Sequence, residues 1–256
     1  MELKSSTQNV IPGGSKALPR GVAQTLSYNP AFDLDFVERL LGRRKKKELP
    51  RSTRNRLALQ KKRLKELVKP RLTWKEFSVA RIDNTGVMLA NGTFLKSRKM
   101  AYALRGATKI IVFIATVGKK IDQEIESLIS GGELAHGYIA DALGSGAVEN
   151  LANQFHKGKS RELGKENQTA GLRFSPGYCD WAVTEQRKLF SLLDADAVGV
   201  DLSNNSLMQP RKSISAVFGI YNNKDISVLS SFNPCRRCGK TDCIARRVEA
   251  IPPGSN

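Results

Sequence analysis

Residues 171–190, "GLRFSPGYCDWAVTEQRKLF", put a guanidinium, a proline–glycine pair, a phenol, a thiol, a carboxylate and an indole within nine positions, Arg173 to Trp181. Neither a helical nor a strand period organises them. Arg173 offers a planar fork of donors that fits a carboxylate. In Pro176-Gly177 the proline ring fixes one φ, and the glycine admits a positive φ and close approach of a ligand. Tyr178 adds an aromatic face suited to a cation or a flat ring. A ligand with an α-carboxylate, a positive charge and a flat base suits all three. The competing reading is a structural turn, in which Arg173 forms a surface ion pair and Tyr178 packs.

A second group able to do chemistry is the thiols. The chain has four cysteines: Cys179, Cys235, Cys238 and Cys243. The last three are spaced C-x2-C-x4-C, close enough to share one metal centre. In a chain read as cytosolic, such spacing suggests metal before disulfides. The tail holds no further Cys or His, and Cys179 is the remaining cysteine. It completes a four-thiolate set if the tail folds back onto the SPGY turn. An iron–sulfur cluster, a structural zinc and three reduced thiols all remain open. The two histidines, His136 and His156, fall on one predicted helix and are expected to pack or face solvent, with His156 at the helix end.

The third feature is charge. Fourteen Lys or Arg stand against two Glu between positions 43 and 71, so +12 of the formal net charge of +18 lies in 29 residues. Lys and Arg clustered along a helix are the usual electrostatic footprint of nucleic-acid binding, but the block has no interleaved aromatics. A solvated helix face and a dock for an acidic protein are the other two readings.

The elements that must position these residues follow from periodicity. A short helix is expected over 33–41, capped by Asp33 and ended at Gly42. A basic helix spans 53–68, with Leu57, Leu64, Leu67 and Val68 near one face, and Pro70 stops it. Residues 73–95 read as a β-meander with an NG turn. The run IIVFIA, 110–115, reads as a buried strand, followed by a turn at Gly118 and a helix striped by Ile121, Ile125, Leu128 and Ile129. A helix is expected over 134–156, with Ala and Gly at 140–147 letting another backbone approach. A polar loop follows over 157–170. After a helix over 184–193, two strands are expected, in AVGVDLSNNSLMQP and in KSISAVFGIY. Helices and strands mix without regular βαβ alternation, so the fold class is α+β, with a mixed or antiparallel sheet flanked by helices. At 40% hydrophobic the chain can bury a sizeable core. No apolar run is long enough to span a bilayer, and the first 30 residues lack a secretory h-region. The expected organisation is a flexible tail over 1–30, one domain over 31–232 and a Cys-rich tail over 233–256, in a soluble cytoplasmic protein.

Six segments in order resemble the activation domain of cobalamin-dependent methionine synthase, and more closely its stand-alone relatives: VERLLGRR, ATVGKKIDQEIESL, DALGSGAVENLAN, RFSPGYCDWAVTEQ, LMQPRKSISAVFGI and PCRRCGKTDCIARR. The resemblance runs from about residue 33 to 247. It implies an S-adenosylmethionine-binding domain that restores methylcobalamin on a partner whose corrinoid has slipped to an inactive oxidised state. The reaction uses one electron from a flavodoxin- or ferredoxin-like donor and the methyl group of S-adenosylmethionine. The partner implied is a corrinoid methyltransferase, above all a methionine synthase lacking its own activation domain. Methyltransferase activity then exists only together with that partner. Carried over, Arg173 holds the ligand carboxylate, Glu149 meets its cationic methionyl end, and the backbone around Ser175 and Gly177 lines the pocket with Tyr178. No residue is assigned a catalytic role. Asp180 and Trp181 match the stand-alone branch and also read as the fold's own turn and core. Cys179 stands where that branch usually has Gly. The alternative is a non-catalytic module that keeps the fold and binds a corrinoid protein or, through 43–71, nucleic acid.

Overall fold

The computed structural model describes residues 31–43 and 48–222, together with Asn233, Cys235, Arg236, Cys238, Gly239, Cys243 and Val248. The expected N-terminal tail over 1–30, residues 44–47 of the basic block and most of 223–256 lie outside the described residues.

The IIVFIA run is apolar at every position because both faces of its strand are covered. This strand, β4 (Lys109–Thr116), pairs antiparallel with β1 (Arg71–Ile82) on one side and β8 (Ser213–Asn222) on the other. Around this centre lie β2 (Gly86–Leu89), β3 (Phe94–Lys96) and the short β5 (Gln168–Ala170). The six-stranded sheet has the order β3-β2-β1-β4-β8-β5, and every pairing is antiparallel. The expected α+β class and antiparallel sheet are borne out.

Alternation along the strands builds two layers. Leu72, Trp74, Ile111, Phe113, Ala115 and Phe218 face α1 (Leu34–Leu40), α2 (Arg51–Leu67), α4 (Lys119–Ser130) and α5 (Leu134–Lys165). Phe155 of α5 is the hub of this layer, with ring centroids 5.0 Å from Phe113, 6.0 Å from Trp74 and 6.2 Å from Phe218. On the opposite face Ile110, Val112 and Val217 pack with Phe174, Trp181, Met100 of α3 (Arg98–Ala103) and Leu189 of α6 (Gln186–Leu192).

Several boundaries differ from those expected. The α5 helix does not stop at His156 but runs to Lys165, through the segment read as a polar loop. Its continuation is amphipathic in a way residue type conceals. Phe155, Lys159 and Leu163 share one buried face, and the Lys159 ammonium sits 3.7 Å from the Trp74 ring centroid and 2.7 Å from Glu162. His156 is therefore mid-helix. The AVGVDLSNNSLMQP stretch is not one strand but a 3-10 turn at Asp196–Val198 and a small hairpin, β6 (Asp201–Leu202) with β7 (Met208–Gln209). Ile129, counted in the α4 stripe, is 48% exposed, whereas Ile121, Ile125 and Leu128 are buried.

The small residues expected to admit a close backbone do so at Gly146. There the Asp33 N–H donates to the Gly146 carbonyl at 3.1 Å. A Cβ at Gly146 would collide with the Val37 side chain and lie 3.1 Å from the Asp33 carbonyl oxygen. Gly146→Ala is expected to destabilise the fold by about 1–3 kcal/mol through overpacking, and Phe155→Ala by about 3–5 kcal/mol through the cavity left at the aromatic hub. Urea unfolding of each variant against the parent chain checks both.

Candidate functional site

After α5 the chain returns along the free edge of β8. The β5 pairing brings Ala170 opposite Ile220. The Gly171 N–H then donates to the Gly219 carbonyl at 2.9 Å, and Phe174 exchanges two 2.8 Å hydrogen bonds with Val217. Between Ala170 and Phe174 the register against β8 shifts by one residue, so Leu172 and Phe174 face the apolar layer opposite to the one Ala170 packs on. Phe174 enters the apolar layer, and Arg173 points the other way, to α5. Its Nη2 lies 2.5 Å from Glu149 Oε2, and its Nη1 lies 3.4 Å from Asn153 Oδ1. The His156 Nε2–H donates to the Gly171 carbonyl at 2.9 Å. Glu149, Asn153 and His156 stand at i, i+4 and i+7, one polar stripe on a helix otherwise rich in small and apolar residues. The sequence reading did not anticipate Asn153 or His156 here. Their offsets from Glu149 were the available signal.

Next comes a double turn. The Tyr178 N–H donates to the Ser175 carbonyl at 3.3 Å, with Pro176 second and Gly177 third at φ +89°, the arrangement of a type II turn. The Trp181 N–H donates to the Tyr178 carbonyl at 3.1 Å, and the Gly177 N–H to the Trp181 carbonyl at 2.7 Å. The Trp181 ring is buried beneath. Asp180 reaches across to α3, where it accepts hydrogen bonds from Ser97 Oγ at 2.6 Å, the Arg98 N–H at 2.8 Å and the Lys99 N–H at 3.2 Å. Asp180 and Trp181 are thus the structural anchors of the turn. Tyr178, 47% exposed, projects from it.

Electrostatics tie the turn to the ion pair. Burial pushes the Tyr178 phenol above its usual range, the Glu149 carboxylate and the Cys243 thiol act in the same direction, and Arg173 opposes them. The charges of Glu149 and Arg173 thus both bear on the Tyr178 phenol. Cys179 also has a raised thiol, by burial first; Lys99 opposes this, while Cys235, Cys238 and Asp180 add to it.

The four cysteines form no disulfide. Cys235 and Cys238 are joined by a turn in which the Cys238 N–H faces the Cys235 carbonyl at 3.4 Å. Among the described residues, no three His, Cys, Asp or Glu side chains are gathered so as to hold a metal ion. His136 packs against the basic helix, its Nδ1 2.8 Å from Gln60 Nε2. That helix, α2, buries Leu57, Gln60 and Leu64 and turns its Lys and Arg outward. Arg54 and Arg63 are paired with Glu48 and Glu124. No helix among the described residues is long and apolar enough to cross a membrane.

Residues 106–228 match the family model for the activation domain of vitamin B12 dependent methionine synthase. The fold is similar to that in the crystal structure of the MetH reactivation domain bound to AdoHcy, with a TM-score of 0.57 over 79% of this chain and 75% of that one, at 18% sequence identity. No curated protein matches the chain. The chain thus resembles the activation domain in both sequence and fold.

The turn's anchoring has a measurable consequence. Burial pushes Asp180 up, but the hydrogen bonds from Ser97, Lys99 and Arg98 outweigh it and hold the carboxyl below its ordinary value. A depressed carboxyl contributes stability above its ordinary pKa and loses it as the pH falls through the folded value. Asp180→Asn is expected to lower Tm near neutral pH, with the difference from the parent chain shrinking below about pH 4. Thermal unfolding across that range checks it.

Proposed function

We propose that this activation-domain-like chain binds S-adenosylmethionine and reactivates a corrinoid-dependent methyltransferase, a methionine synthase lacking its own activation domain being the partner class that suits it best. One observation carries the reading: a buried guanidinium and a carboxylate stand side by side within the field of a half-exposed phenol on a rigid turn. The aminoacyl end of S-adenosylmethionine is a zwitterion. Its carboxylate matches Arg173 and its ammonium matches Glu149. Opening the Arg173–Glu149 pair to admit it strands neither charge, because each exchanges one partner for another; leaving a buried charge unpaired would be costly. The sulfonium falls in the same field, where Glu149 is attractive to it. The flat base has the Tyr178 ring and the open Gly177 backbone to lie against.

In this reading the partner's corrinoid supplies the chemistry: one electron and the ligand's methyl group return it to the methylated state, and AdoHcy leaves. The electron comes from a low-potential flavodoxin- or ferredoxin-like protein. The residues of this chain bind and orient the ligand, and the fixed turn holds the sulfonium at the surface where a corrinoid protein can dock. No side chain of the chain has to take or give a proton. The outward Lys and Arg of α2 suit an acidic partner.

A second reading, a non-catalytic module, draws on the pairing of Arg173 with Glu149 and Asn153 of its own chain. That pair would then only pin the edge strand to α5, and the basic helix would bind nucleic acid or a corrinoid protein.

Calorimetric titration with S-adenosylmethionine separates the two. Saturable binding is expected. It should weaken roughly ten- to a hundredfold in Arg173→Ala, the loss of a charge-assisted hydrogen bond. Because Arg173→Ala also leaves Glu149 unpaired, Tyr178→Ala serves as the companion variant, an exposed position whose loss should weaken binding and leave Tm nearly unchanged. Affinity equal to the parent in both folded variants would overturn the site. Absence of ligand binding, with nucleic-acid binding of steep salt dependence, would favour the second reading.

A further inference from the structure

The basic helix α2 is held to the domain by one face and leaves the rest of its surface open. Leu57 and Leu64 enter the helical core layer, and Gln60 Nε2 lies 2.8 Å from His136 Nδ1 on α5. The helix carries seven Lys or Arg and one carboxylate, Glu66. All seven cations are exposed. Arg54 and Arg63 are paired with Glu48 and Glu124, whereas Arg51, Arg56, Lys61, Lys62 and Lys65 make no ion pair among the described residues. An α-helix turns by about 100° and rises by about 1.5 Å per residue. On that geometry Arg51, Arg54, Lys61, Lys62 and Lys65 share an arc of about 100° and form a ridge of cations about 21 Å long.

We propose that this ridge docks on the phosphate backbone of a nucleic-acid duplex. A duplex carries one negative charge per about 1.7 Å of its axis, about a dozen over the length of the ridge, and cations that neutralise them release condensed counterions. Contacts of this kind position a protein on the duplex without reading its sequence. The other anionic partners suit the ridge less well. The core of a protein–protein interface is enriched in aromatic residues and Met and depleted in Lys, but α2 has no aromatic residue and no Met, and three of the five ridge cations are Lys. Single-stranded nucleic acid is gripped by bases stacking on aromatic side chains, which α2 again lacks. A membrane-surface helix lays an apolar face into the lipid, whereas Leu57, Leu64 and Leu67 of α2 are packed on the core and Leu59 alone among its large apolar side chains is exposed. The ridge does not depend on how Arg173 is used, since none of its residues belongs to that site.

Fluorescence anisotropy of a short mixed-sequence DNA duplex, titrated with the full chain without S-adenosylmethionine, tests the ridge. Affinity should be the same for unrelated sequences and fall between about 50 and 200 mM salt with a log–log slope of about −4 to −5, as five phosphate contacts require. Lys62→Ala should weaken binding to all sequences alike and make the slope shallower by about 1. Reversing the charge at three ridge positions together, Lys61→Glu, Lys62→Glu and Lys65→Glu, should abolish binding. All three side chains are exposed, so unchanged far-UV circular dichroism and Tm show that this variant is folded. Arg173→Ala should bind the duplex as the parent does, so failure of the ligand site and failure of the ridge are read separately. Three results would overturn the proposal. One is a parent chain with no salt-sensitive duplex binding at the lowest salt. Another is a folded triple variant that keeps the parent's affinity. The third is tighter binding to poly-glutamate, to a single strand or to anionic phospholipid vesicles than to the duplex, which would give the ridge to another class of partner.

Discussion

The arrangement at the site depends on one constraint, the antiparallel pairing of Phe174 with Val217 at the edge of β8, one residue out of register with the Gln168–Ala170 pairing before it. Because a strand sends successive side chains to opposite faces, seating Phe174 in the apolar layer obliges Arg173 to face α5. The two Phe174–Val217 hydrogen bonds fix that register, and a slip of one residue would put the guanidinium in the hydrophobic layer and the phenyl ring against Glu149. The α5 helix meets this demand with a polar stripe. Glu149 and Asn153 take the guanidinium, and His156 takes the Gly171 carbonyl that the edge would otherwise leave to solvent. The double turn, continuing from the edge strand, is placed by the same register. Trp181 drops into the layer that holds Phe174, Asp180 is bound by the first turn of α3, and Tyr178 projects from the turn half-exposed.

Rigidity and accessibility are therefore combined at the turn. Its backbone is closed by three hydrogen bonds, its anchors are beneath and beside it, and the two side chains that point outward, Tyr178 and Cys179, belong to no apolar cluster. Preorganisation of this kind lowers the ordering cost of binding.

Much of this was legible in the sequence, for reasons that can be named. The IIVFIA run marked the central strand because burial on both faces leaves no polar position. Pro176-Gly177 marked a turn because few other pairs supply both a fixed and a positive φ. Asp33 and Gly42 bracketed α1 as capping chemistry predicts, with the Asp33 carboxylate accepting from the Phe36 N–H. Glu149 was picked out by resemblance alone, since a single glutamate on a helix has no signature of its own. The second half of α5 was not legible, because the buried face there includes Lys159, whose stem packs while its ammonium finds Trp74 and Glu162. The six residues of α3 are too few to show a period, although Ser97 caps its first turn through the Met100 N–H. The three residues of β5 are defined by the edge they join, which only the tertiary structure supplies.

Hydrogen–deuterium exchange on the full chain, with and without S-adenosylmethionine, tests the site most directly because it reports where binding is felt. Protection confined to the peptides carrying residues 149–153 and 171–181 is the expected result. Saturable binding that left both peptides unchanged and protected another part of the chain would contradict the assignment of Glu149, Arg173 and Tyr178 as the ligand site.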